Sequence, residues 1–141
     1  MFKKRYIVLI SLLFLMSLSL VNAVNFDIPS GYQQKSSTVN MAELENNVGD
    51  YIIIADGDYI SYEDLILELG NDYAISGIQT LKIDGVNVKE YRLSSKSSTK
   101  FVYTFKHWGH TYNIGVSPTN MLFWNAESRS NPVYQIISTF R

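Results

Sequence analysis

Phe101-Val102-Tyr103-Thr104-Phe105-Lys106-His107-Trp108-Gly109-His110-Thr111-Tyr112-Asn113-Ile114-Gly115-Val116 is the stretch that decides the fold. Its apolar and aromatic side chains recur at every second position, the period of a β-strand. With Trp108-Gly109 as a two-residue turn, His107 faces His110, Phe105 faces Tyr112, Tyr103 faces Ile114 and Phe101 faces Val116. Every pair below the tip is then apolar or aromatic on both sides. A slip of one residue would send each of them to the opposite face, so the register is specified by the side chains themselves.

Moving outward, Asp84-Gly85 sits between Ile83 and Val86 and suits the same kind of turn, with Leu81 facing Val88. The serine-rich segment Ser94 to Thr99 reads as the loop between the two hairpins. Ahead of them, Ser61-Tyr62-Glu63-Asp64 opens a helix: Ser61 caps it and the acids meet the positive end of the dipole. Leu65, Ile66 and Leu69 form its apolar stripe, and Gly70 offers a left-handed stop. Residues 39 to 48 read two ways. Met41, Leu44 and Val48 fit a helical face, whereas Asn46-Asn47-Val48-Gly49-Asp50 fits a hairpin turn into Tyr51-Ile52-Ile53-Ile54; the hairpin is favoured.

At the far end, Asn131-Pro132 is an N-cap followed by proline at the first helical position. Val133, Ile136, Ile137 and Phe140 then recur at helical spacing. Phe26-Asp27-Ile28-Pro29 is expected as a short strand ended by proline, with Gly31 turning the chain and Tyr32 starting the next extended piece. The order of strands, helix, two hairpins and helix predicts an α+β domain, an antiparallel β-sheet with one face covered by a few short helices.

The first residues set a compartment. Lys3-Lys4-Arg5 precedes an apolar run from Tyr6 to Val21, broken only by Ser11, Ser17 and Ser19, and Val21-Asn22-Ala23 follows the pattern a signal peptidase reads. Residues 1–23 are thus expected to be a signal peptide and 24–141 a single domain, secreted or held at the cell envelope. The rival reading is an uncleaved anchor, the one case in which the membrane is a partner. Without the signal the chain keeps 9 basic and 13 acidic residues, a net charge of −4. That balance argues against nucleic acid as a partner and against anionic lipid. The chain has no cysteine, which excludes disulfides, thiolate metal sites and cysteine nucleophiles. Burial of aromatic side chains has to supply the stability instead.

Phe26-Asp27-Ile28-Pro29-Ser30-Gly31-Tyr32 resembles the opening motif of PsbP-like domains, an aromatic strand running into Pro-x-Gly-aromatic. The ending Ile136-Ile137-Ser138-Thr139-Phe140-Arg141 is similar to the last helix of that group. Small exported, cysteine-free proteins of methanogenic archaea look similar in the same opening. The resemblance implies a sheet flanked by helices and a role in binding partners rather than in catalysis. It carries no catalytic residue onto this chain. The metal and partner sites of the longer photosynthetic members do not transfer.

Among candidate site residues, His107 and His110 are the only histidines and the hairpin register sets them side by side. Two imidazoles fall short of the three or four ligands of a usual centre, and Lys106 adds a positive charge, so no metal is assigned to them. Asp56-Gly57-Asp58 with Glu63 and Asp64 is rich in carboxylates. Counted from Asp56, however, the sixth and twelfth places are Ser61 and Leu67, which excludes an EF-hand loop. Trp108 at a hairpin tip is the candidate binding residue, while Trp124, beside Met121, Leu122 and Phe123, is expected in the core. There is no Gly-x-Ser-x-Gly elbow, phosphate loop or dinucleotide fingerprint. No catalytic residue and no cofactor are assigned. The expectation is a non-catalytic secreted or envelope binding or structural module, its partner a protein or another cell-surface component. The alternative is a small extracytoplasmic hydrolase or metal-binding enzyme.

Overall fold

A computed structural model of the chain describes residues 24–119 and 121–141, so the signal-peptide reading of residues 1–23 lies outside the described residues. Seven strands form one antiparallel sheet: β1 (Tyr32–Ser37), β2 (Met41–Asn46), β3 (Tyr51–Asp56), β4 (Ala74–Ile83), β5 (Val86–Ser94), β6 (Thr99–His107) and β7 (His110–Ser117). Their spatial order is β1-β2-β3-β7-β6-β5-β4. Helix α1 (Tyr62–Gly70) joins β3 to the far edge strand β4, and a 3-10 turn (Met121–Trp124) leads to helix α2 (Pro132–Ser138).

Both hairpins form in the register their side chains dictate. Phe101, Tyr103, Phe105 and His107 lie opposite Val116, Ile114, Tyr112 and His110, and Leu81 and Ile83 lie opposite Val88 and Val86. Their tips are built alike: Asp84 and Gly85 have φ of 49° and 80°, Trp108 and Gly109 have 53° and 75°. Positive φ at both central residues is the type I′ geometry that matches strand twist. Residues 41–46 form the strand of a hairpin with β3, not a helix.

Strand β3 shows how the layers are arranged. Ile52 and Ile54 join a cluster with Phe101, Tyr103, Phe105, Ile114, Val116 and the α2 residues Val133, Ile136 and Ile137. Ile53 and Ala55 join another with Tyr91, Leu93, Val102 and the α1 residues Leu65 and Leu69. Alternate residues of one strand thus face different helices. This corrects the expectation of a single covered face: α1 and α2 pack on opposite faces of the sheet. Close approach of α1 needs Gly115, where a Cβ atom would sit 2.9 Å from Leu69 Cδ1.

Three further readings are corrected. Residues 24–29 form no strand; their partners are at the chain end, through Arg141 N to Asn25 O at 2.9 Å and Asp27 N to Thr139 Oγ1 at 2.9 Å. Irregular backbone pairing of this kind leaves Pro29, which has no N–H to donate, without a ladder to interrupt. Helix α1 runs through Gly70, and its C-cap Asn71 stays right-handed at φ −62°. Trp124 is 40% exposed, whereas Phe123 is fully buried: the 3-10 turn points them to different surroundings. The caps hold as read, with Ser61 Oγ accepting from Asp64 N at 3.1 Å and Asn131 Oδ1 accepting from Val133 N at 2.8 Å.

Candidate functional site at the β6–β7 hairpin tip

The pairing of β3 with β7 places Asp56 opposite Tyr112. The loop that follows is therefore laid against the base of the β6–β7 tip. Gly57 N donates to Thr111 O at 2.9 Å, and a Cβ at Gly57 would lie 2.8 Å from that same carbonyl oxygen. Only glycine fits so close a backbone contact. Asp58 N donates to Asp56 Oδ1 at 2.8 Å, which folds the loop back on itself. The buried Asn113 completes the fixation: its Nδ2 donates to Ile60 O at 2.8 Å and its Oδ1 accepts from Thr104 Oγ1 at 2.9 Å.

This brings together residues that looked unrelated in the chain. His110 Nε2 donates to Asp56 Oδ1 at 2.7 Å and lies 3.8 Å from Asp58 Oδ2. One ligand atom from each of Asp56, Asp58 and His110 falls within 4.8 Å of the others. The hydrogen bond to Asp56, helped by the charges of Asp56 and Asp58, raises the His110 pKa above the ordinary imidazole value. Asp56 is largely buried and Asp58 is almost wholly exposed, so the group opens to solvent on one side.

His107, although opposite His110 in the ladder, faces different company. Its ring sets edge-on against Phe140, with centroids 5.3 Å apart, and against Trp108 at 5.8 Å. Burial pushes its pKa below the ordinary value, and its Nε2 is buried without a hydrogen-bond partner. The histidine pair is thus split between an aromatic wall and a carboxylate loop. Glu63 and Asp64 begin α1 instead of joining Asp56 and Asp58.

Trp108 is 91% exposed at the tip. Two anchors hold its base: the Phe140 ring against His107, Phe105 and Tyr112, and the Asp56–His110 pair on the other strand. A large indole is therefore presented to solvent on a turn with little freedom. The chemistry available is apolar stacking from Trp108 beside an anionic and imidazole-bearing loop.

Two polar groups escaped the reading of the sequence. Asp50 is buried and accepts from Asn46 Nδ2 at 2.7 Å, tying down the β2–β3 turn. Glu90 is buried within β5, opposite Tyr103 of β6. A signal for it existed: Val88, Glu90 and Arg92 alternate on the face that Phe105, Tyr103 and Phe101 mark as core. A larger surface depression of about 340 Å³ lies over the β1–β2 edge, among Gly31, Gln33, Lys35, Glu45, Asn46 and Asn47. There Lys35 and Glu45 pair in solvent.

No protein-family model matches the chain, and no curated protein matches it significantly. Among the described residues, no helix is long and apolar enough to cross a membrane.

Proposed function

We propose that the chain is a non-catalytic, exported binding module whose contact surface is the β6–β7 tip. The observation that carries this reading is Trp108, 91% exposed on a type I′ turn that is anchored on both strands. Tryptophan is the side chain that most often dominates binding energy at interfaces, and a preorganised turn lowers the ordering cost of using it. The partner is a protein or another component of the cell surface, in keeping with the signal-like residues 1–23. The domain is read as PsbP-like; supporting this, the two motifs that carry the resemblance touch, with Phe26 and Phe140 stacked at 6.3 Å and Asp27 paired with Arg141 at 2.9 Å. The test is cosedimentation of the purified protein with isolated envelopes of the producing cells. Saturable binding is expected, and its absence would refute the reading.

A second reading is favoured by one specific observation, the convergence of Asp56, Asp58 and His110. Three protein donors with an open side match the ligand number of a catalytic metal site. On that reading the chain is a metal-dependent extracytoplasmic hydrolase. Calorimetry with zinc and manganese separates the two. Stoichiometric micromolar binding lost in His110→Ala would install the enzyme reading, and no heat of binding is expected on the first.

A further inference from the structure

The two edges of the sheet are built differently. At one, β1 is only six residues long, and every residue after Tyr32 is polar and exposed. It is bulged at Lys35, whose ammonium pairs with Glu45. Short length, a bulge and charge are devices by which sheets discourage further pairing. At the other edge, β4 runs for ten residues with Lys82 as its one charged side chain. Ala74 to Thr80 are exposed throughout, including Ile75 at 51% and Ile78 at 55%. A long apolar edge of this kind is a template for another strand.

Its unpaired side can be located. The two-residue turn at Asp84-Gly85 makes Ile83 and Val86 a hydrogen-bonded pair, and such pairs alternate along an antiparallel ladder. Ile83, Leu81 and Gln79 therefore direct their backbone groups to β5. Lys82, Thr80 and Ile78 turn N–H and C=O outward, where no backbone partner meets them among the described residues.

We infer that β4 is the interface at which a second copy of this chain adds, the two β4 strands pairing antiparallel about a two-fold axis through Ile78. Such an interface must be complementary to itself, and in that register the strand is. Ile78 faces Ile78 of the second copy, extending the apolar row begun by Tyr91, which stacks on Tyr62 of α1 at 5.0 Å. Gln79 faces Gly77 of the second copy. The missing side chain at Gly77 leaves a depression of about 130 Å³, lined by Gly77, Ile78, Gln79, Glu90 and Arg92, and each copy's Gln79 enters the other's depression. Each Lys82 lies opposite Ala74 of the second copy, so the two like charges sit at opposite ends of the paired strands. The neighbouring registers would instead set Ile78 against Ser76 or Thr80. The bulge at Ser76 falls outside the three central pairs. No hairpin-tip residue takes part, so this inference stands apart from the reading of Trp108.

The test is the mass of the purified protein by sedimentation equilibrium, joined to oxidative cross-linking of one introduced cysteine. A dimer is expected at micromolar concentration. The chain has no cysteine of its own, so Ile78→Cys places a single thiol per chain, facing its counterpart. Residues of a hydrogen-bonded pair have Cα atoms about 5.5 Å apart, inside the roughly 4.4–6.8 Å that a disulfide spans. Ile78→Cys should therefore form a covalent dimer in mild oxidant, and Gln33→Cys on the β1 edge should not. Thr80→Pro removes an outward N–H and none of the bonds to β5, and should weaken the dimer at least tenfold. Ile78→Lys opposes two like charges at an exposed position and should do the same even if the proline variant folds poorly. A monomer at every concentration would overturn the inference. So would a dimer that both substitutions leave intact, or one that cross-links through Gln33→Cys and not through Ile78→Cys.

Discussion

His110 and His107 sit opposite each other in one ladder position, and their surroundings shift the two imidazole pKa values in opposite directions. The Asp56 hydrogen bond raises the His110 pKa, and burial lowers that of His107. Site-resolved NMR should place the His110 midpoint above the ordinary imidazole value of about 6.5 and that of His107 below it. Asp56→Asn should move His110 back toward the ordinary value and leave His107 in place. The stability consequence follows by linkage. With a raised folded pKa, the contribution of His110 is complete below about pH 6.5 and is lost as pH rises through the folded value. His107 acts in reverse: its contribution is present above about pH 6.5 and is lost as pH falls through its lowered value. Denaturation midpoints of His110→Ala should therefore depend less on pH on the alkaline side than those of the parent. At Gly57 the issue is space, since a Cβ would press on Thr111 O at 2.8 Å. Gly57→Ala should cost about 1–3 kcal/mol in urea unfolding and shift the amide signals of the tip.

At the scale of elements, the two hairpins were legible because each is specified locally. Alternating side chains fixed the pairing, and Asp84-Gly85 and Trp108-Gly109 supplied the turns that twisted strands prefer. The same locality made the α1 and α2 caps legible. Pairing of β3 with β7 was not, because it joins residues about sixty positions apart and no local pattern reports it. Asp56 and His110 meet only through that pairing, which is why their conjunction was hidden while each residue was visible alone. The side of the sheet taken by α1 was hidden for a related reason: the run Ile52-Ile53-Ile54-Ala55 is apolar on both faces. Two substitutions test these elements. Gly109→Ala forces a side chain into φ 75° and should cost about 1–2 kcal/mol. Ile137→Ala removes a buried side chain of α2 and should cost about 2–5 kcal/mol; a negligible shift in the denaturant midpoint would show that α2 is peripheral.

At the scale of the domain, the described residues form a sheet that carries α1 on one face and α2 on the other, with the hairpin tip at its margin. The core is apolar and aromatic as composition required in a chain without cysteine. Burial of Glu90 runs against the ordinary assignment of a charged strand residue to solvent, and only its alternation with Val88 on the core face reports it. Export predicts a mature N-terminus at or near Val24, which intact mass of native material checks; retention of Lys3 to Arg5 would mean an anchor instead. The central claim is that Trp108 is the point of contact of a binding module. The most direct measurement compares binding of the parent protein and Trp108→Ala to isolated cell envelopes, with thermal unfolding followed in parallel. The account predicts at least a tenfold loss of affinity with little change in the unfolding midpoint, because the indole is almost wholly exposed and its ring contact is with His107, outside the buried core. Equal affinity of the two proteins would contradict it.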